Sequence, residues 1–266
     1  MSRRGFVLIA VLWAISVGGL VVALSAGDAR VEESASRNRV LVARARWAAE
    51  ACAAIARGRF ASGGFSEDGL EALGRTTTCT WHLEDLAARL NVGRAERAML
   101  ERFLAANGVV ANAAVSIADT ILALKRDSSL TDTEVLRGLK SFPERLLPFL
   151  TTDGPGLVNP GIAPPEVLVA LPGLTPEAVA LAHRWSGGGR PLSSLSELMA
   201  GLSPGSRAVL AANYADLARL TAFGRDELVL HCKGWVAEYG DAPRVSVDLG
   251  VRPVDGSLLV LWRRVR

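Results

Sequence analysis

Few residues in this 266-residue chain are of a kind and spacing suited to chemistry. Gly201-Leu202-Ser203-Pro204-Gly205 matches G-x-S-x-G, the sharp turn that exposes a nucleophilic serine in hydrolases. In that setting a strand precedes the serine, and the following residue donates its N–H to an oxyanion. Here the preceding segment reads as helix, and the following residue is Pro204, which has no N–H. A helix cap explains Ser203 better than a nucleophile does. His82 and His231 fall in expected strands and His183 near a helix end, none beside a carboxylate pattern that would make it a base. Cys52, Cys79 and Cys232 form no C-x-x-C or Cys/His set, which speaks against zinc. Three cysteines permit one disulfide and one leftover thiol, with Cys79 bonded to Cys52 or to Cys232. Trp185 to Arg190 is glycine-rich but lacks the spacing and the preceding strand of a phosphate loop.

Ala170-Leu171-Pro172-Gly173-Leu174-Thr175 lies between two short helical segments and is similar to a helix–hairpin–helix turn. In DNA-binding proteins such a turn offers backbone N–H groups to phosphate. Pro176 removes one of those donors, and the next helix has no lysine or arginine before Arg184. Phosphate contacts carry most non-specific affinity for DNA, so the unit reads as a protein-packing module. The formal charge of +3 is spread along the chain without a basic block. No nucleic acid, no small-molecule substrate and no enzymatic activity are expected.

The elements that position these residues begin with the N-terminus. Phe6 to Leu24 is an uncharged run of 19 residues, about 28 Å as a helix, which matches the hydrocarbon core of a bilayer. Arg3 and Arg4 precede it, so the positive-inside rule puts the N-terminus in the cytoplasm. Gly5 ends the short basic leader, and Phe6 opens the run. From Asp28 to Arg59 there is no proline, and no glycine before Gly58. Leu41, Ala45, Ala48, Cys52 and Ile55 recur at helical steps and make an apolar seam. One helix from Phe6 to about Phe60 follows, lipid-embedded at first and then packed on a domain, with Gly58, Gly63, Gly64 and Gly69 ending it.

Thr76 to Leu83 reads as a strand. Helices are expected at 95–106, 115–125, 132–139, 164–171, 175–185, 195–200 and 204–213. Their start signals are capping boxes at Thr131/Glu134 and Ser194/Glu197, and cap–proline pairs at Thr175-Pro176 and Ser203-Pro204. Strands return at Glu227–Tyr239, Arg244–Val251 and Leu258–Arg264, joined by Asp241-Ala242-Pro243 and Asp255-Gly256. The fold class is α+β. A long N-terminal helix covers an antiparallel sheet, and a large all-α domain is inserted in that sheet.

In this order the segments resemble the K-type minor pseudopilins of type II secretion systems. Arg3-Arg4-Gly5-Phe6 resembles a prepilin leader and its cleavage site. Asp85–Val92 resembles the entry to the family's insert, Ile117–Leu122 its next helix, Leu157–Leu168 its N-x-x-T-A-P-x-x-V-L segment with Ile162 at the threonine, and Leu259–Arg263 its closing strand. The resemblance implies a leader at 1–5, a membrane part at 6–24, the remaining helix and first strand at 25–87, an inserted helical domain at 88–222 and closing strands at 223–266. It implies cleavage by a prepilin peptidase between Gly5 and Phe6, with methylation of Phe6. The chain would cross the inner membrane once, with its C-terminal domain periplasmic and I- and J-type minor pseudopilins as partners. The fifth mature position is Ala10, where most pilins carry a glutamate; its lack is a mark of the family's tip subunit. The family's insert is associated with calcium. Of the matching acidic cluster Asp119 and Asp127 remain, but Lys125 and Arg126 intrude and oppose a strong site. The alternatives are a minor pilin of a type IV system and a membrane-anchored DNA-uptake protein using the turn at Gly173. A hydrolase using Ser203 ranks last.

Overall fold

A computed structural model describes residues 3–188, 192–236 and 244–266, with side chains from residue 11 onward except that of Ala26. The expected turn Asp241-Ala242-Pro243, the end of the strand drawn to Tyr239 and the last two residues of the glycine-rich segment Trp185 to Arg190 lie outside the described residues, and the start of that segment is helix up to Gly187. The chain forms two compact units. One comprises Met1–His82, His231–Asp248 and Arg264–Arg266, the other Leu83–Leu230 and Leu249–Arg263.

Helix α1 runs unbroken over Arg3–Ala61. Good helix formers and the lack of proline sustain it. Gly58 lies inside the helix rather than ending it; the stop comes at Gly63, whose φ of 74° only glycine adopts easily. Strand β1, Asp68–Ala72, pairs antiparallel with β2, Thr77–Asp85, from Asp68 opposite His82 to Ala72 opposite Thr78. Gly69, expected among the glycines that end the helix, lies in β1. That glycine is instead a strand residue on which the Trp81 indole lies flat: a Cβ there would come within 1.9 Å of the ring. Strands β3, Leu90–Asn91, and β4, Leu150–Thr151, form a short parallel ladder. Strands β5, Leu228–Val236, β6, Val245–Val254, and β7, Ser257–Val265, complete the main sheet, ordered β1-β2-β5-β6-β7. Asp255 and Gly256 both have positive φ and turn β6 into β7, as an Asp-Gly hairpin does.

Between β2 and β5 the chain is mainly helical. Helices are α2 Arg97–Ala106, α3 Ala111–Arg126, α4 Pro165–Leu168, α5 Pro176–Gly187, α6 Leu195–Ala200, α7 Pro204–Ala212 and α8 Tyr214–Leu220. Their core holds large side chains: Leu100, Phe103, Leu104, Ile121, Leu136, Leu168 and Leu198 are all buried. The segment expected as helix at 132–139 is a tight 3-10 helix over Thr133–Gly138. Its cap is Asp132, which accepts from the Glu134 N–H, and not Thr131. A further 3-10 helix, Glu144–Phe149, and α8 had no start signal of the kind used in the reading.

Two buried asparagines fix the irregular stretches. Asn91 donates to the carbonyls of Asp153 and Gly154 at 2.8 and 3.0 Å and accepts from the Arg94 N–H. Asn159 accepts from the Gly161 N–H at 2.9 Å, at a turn pressed against the Leu192 backbone. Each replaces backbone partners that a buried loop lacks.

Candidate functional site

The part of the chain equipped to engage other molecules is α1 and the seat it occupies in its own unit. Upstream of residue 40 the described side chains of α1 are exposed on every face: Leu24 is 61% exposed and Trp13 71%. Helix α1 is long and apolar enough to cross a membrane by length and composition. Gly5, Phe6 and Ala10 lie in its first turns as backbone helix, and their side chains fall outside the described residues.

Downstream, Ala45, Ala48, Ala49, Cys52, Ala53 and Ala56 are buried, while Leu41 and Ile55 are only half-buried at the margins. The seat is therefore made of the smallest side chains, and the reason lies in β5. A Cβ on Gly234 would meet the Ala45 carbonyl oxygen at 2.3 Å, the Ala49 nitrogen at 2.4 Å and the Ala48 methyl at 2.8 Å. Helix backbone rests directly on strand backbone there, and only glycine beneath alanines allows it. The reading named Ala45, Ala48 and Cys52 but missed Ala49, Ala53, Ala56 and Gly234. The seam of single steps of four and three, Leu41, Ala45, Ala48, Cys52 and Ile55, is narrower than the buried face, and a glycine inside a strand pattern is the available signal for Gly234.

Three contacts anchor this end of α1. Cys52 bonds Cys79 of β2, which resolves the pairing left open by the sequence, and Cys232 stays a buried free thiol. Burial, and secondarily Asp248, push the Cys232 thiol up to about 12, so it is inert at neutral pH. Arg59 pairs with Glu71 at 2.5 Å and lies 5.1 Å over the Trp81 ring. The Trp81 indole N–H donates to the Ser66 carbonyl.

On the same unit's sheet, His82 Nδ1 lies 2.7 Å from Asp68, His231 Nδ1 lies 2.8 Å from Asp248, and the two rings stack at 6.3 Å. Each histidine thus has the carboxylate that the sequence did not reveal, because the partners come from other strands. Burial raises the Asp248 carboxyl, but the hydrogen bond and charge of His231, with Arg266 and Arg264, bring it below the usual carboxylate range.

The remaining candidates are held by structural partners. Ser203 Oγ donates to the Glu177 carboxylate at 2.5 Å, and its N–H donates to the same group at 2.9 Å. Asp119 is ion-paired with Arg97 at 2.8 Å, and Asp127 closes the C-terminus of α3. Among the described residues no three His, Cys, Asp or Glu side chains converge into a metal-binding group.

An unbroken helix, apolar at one end and seated on an antiparallel sheet at the other, decides the architecture. The fold is pilin-like. It superposes on a chain of the crystal structure of the GspK-GspI-GspJ complex from the type 2 secretion system of enterotoxigenic Escherichia coli, with a TM-score of 0.63 and 12% sequence identity. The match covers 88% of this chain and 99% of that one. No protein-family model matches the sequence, and no curated protein matches it. The likeness is one of fold.

Proposed function

We propose that the chain is a minor pseudopilin, K-type in its features, acting at or near the tip of a periplasmic pseudopilus. The observation that carries this is the single helix α1, which passes without a break from an apolar half exposed on all described faces to an alanine seam on a sheet. A cleaved signal peptide has no use for such continuity. The pilin-like fold, shared with a chain of a three-component secretion complex, supports the same reading.

In this reading the prepilin peptidase cuts between Gly5 and Phe6, and the new N-terminus at Phe6 is methylated. The apolar half stays in the inner membrane with its N-terminus cytoplasmic and the folded units periplasmic. It lies beside the corresponding helices of I- and J-type subunits. Ala10 leaves no carboxylate to receive the ammonium of a subunit above, which suits the tip. The role is structural: Ser203, the one nucleophile candidate, hydrogen-bonds a carboxylate in a helix cap.

The test is the mature N-terminal residue, read by mass spectrometry on protein from membranes with and without a prepilin peptidase. The expected result is a chain starting at methylated Phe6 only when the peptidase is present. A chain starting at Met1, or just past Ser25, overturns the proposal.

A further inference from the structure

The turn at Gly173 is not alone. Gly173-Leu174-Thr175-Pro176 returns twenty-eight residues later as Gly201-Leu202-Ser203-Pro204. Each copy follows a short helix, α4 or α6, and opens a longer one, α5 or α7. The threonine and the serine are the two N-cap residues, and each proline takes the first helical position. The same shift of twenty-eight relates buried positions: Val167 to Leu195, Ala170 to Leu198 and Ala182 to Leu210.

The contacts between the copies obey this shift too. A Cβ on Gly173 would strike Asn213 at 2.5 Å, and one on Gly201 would strike Leu181 at 2.7 Å and approach Trp185 at 3.2 Å. Gly173 and Gly201 are equivalent positions, and so are Trp185 and Asn213. Each turn is thus pressed on the other copy's second helix, as a local twofold requires, although the Gly201 turn also meets Leu181 further along α5.

At the centre the two helix N-termini meet. Thr175 Oγ1 donates to Ser206 Oγ at 3.0 Å. Glu177 accepts from the Ser203 N–H and hydroxyl, and the Ser206 side chain also bonds it. The hydroxyls of Ser203 and Ser206, then the Ser203 backbone, hold this carboxylate down at about 2 although it is open to water. The first turn of α7, with its outward N–H groups and positive dipole end, receives an anion from within the chain.

We infer that residues 165–187 and 195–212 are two copies of one helical hairpin, related by a twofold axis inside the chain and latched N-terminus to N-terminus by the Glu177 carboxylate. The end where a hairpin of the nucleic-acid type would receive phosphate is filled by Glu177, so the pair works as one closed packing module. The symmetry also names where the latch's twofold equivalent would sit. The position equivalent to Glu177 is Gly205, and nothing lies within 4 Å of a Cβ placed there. A carboxylate at that position would reach the N-terminus of α5 and the Thr175 hydroxyl.

The experiment compares full-length wild type, Glu177→Ala, Gly205→Glu and the double variant in detergent, by thermal melting and hydrogen exchange of peptides from α5 and α7. Glu177→Ala is expected to lower the melting temperature and to speed exchange at the start of α7 by about tenfold, as loss of a local cap does. Gly205→Glu is expected to restore both in the Glu177→Ala background. In wild type it brings a second carboxylate beside Glu177 and gives no gain. Equal gains in both backgrounds would reduce Gly205→Glu to a general dipole effect and overturn the twofold latch. No shift from Glu177→Ala would overturn it as well.

Discussion

The unit containing α1 and the unit containing α2 to α8 reach stability by opposite means. In the helical unit Leu100, Phe103, Leu104 and Ile121 interlock across α2 and α3, and caps, turns and a carboxylate latch fix the ends. No disulfide ties it. In the other unit the long helix meets its sheet through six small side chains, Ala45, Ala48, Ala49, Cys52, Ala53 and Ala56. Alanine buries little apolar area, so this contact gains less from water exclusion than from close backbone approach. A covalent bond to β2 and the Arg59–Glu71–Trp81 cluster make up the difference. Large residues give a core that tolerates local adjustment. Small ones give an interface that tolerates almost none, but that holds a helix in one place.

Four measurements test this contrast. Phe103→Ala leaves a cavity in the helical unit and should cost about 3–5 kcal/mol. Exchange should rise in α2 and α3 peptides while residues 45–56 of α1 stay protected; loss of protection in both regions would mean that the two depend on one core. Replacing Cys52 and Cys79 with serine should cost up to about 3.5 kcal/mol, given the loop they close, and should expose α1 peptides while sparing those of α2. Protection of α1 that survives the change would show the alanine seam to be sufficient.

Gly234→Ala should cost about 3 kcal/mol, because the new methyl meets backbone atoms that cannot rotate away. Its effect on α1 exchange should exceed that of Ala45→Ser, which keeps the helix–strand distance. The last and smallest test is pH. The Glu177 carboxyl is held at about 2, below its ordinary 4.5. Its stabilising effect is complete above its unfolded value and fades as pH falls from about 4.5 to about 2. The melting temperatures of wild type and Glu177→Gln should therefore converge over that range, while α1 protection keeps the same pH dependence in both. A constant gap would deny Glu177 its charge role.

The sequence carried the long elements well. The apolar run, the proline-free stretch after it, the cap–proline pairs at Thr175 and Ser203 and the Asp-Gly hairpin are local signals, and each lies where the reading put it. What it hid depends on contacts distant in sequence. Strand β1 was not legible because Gly69 answers to Trp81, twelve positions on. Gly234 passed as an ordinary strand residue because its need is set by Ala45 and Ala49 on another element. Ser203 is legible as a cap but not as the partner of Glu177, which lies twenty-six residues away on α5. Asp68 and Asp248 meet their histidines only once strands pair.

Helix α1 is also a lever. From Cys52 to its first residue it reaches about 74 Å at 1.5 Å per residue, and its anchored contacts lie near one end. A tilt of about one degree at the seam then displaces the far tip by about 1.3 Å, and a tilt of about three degrees by about 4 Å, the width of a methyl group. A side chain one carbon larger in the seat would be read out far away as a misaimed end. The alanines and Gly234 thus set a bearing, and the bond to β2 keeps it from drifting.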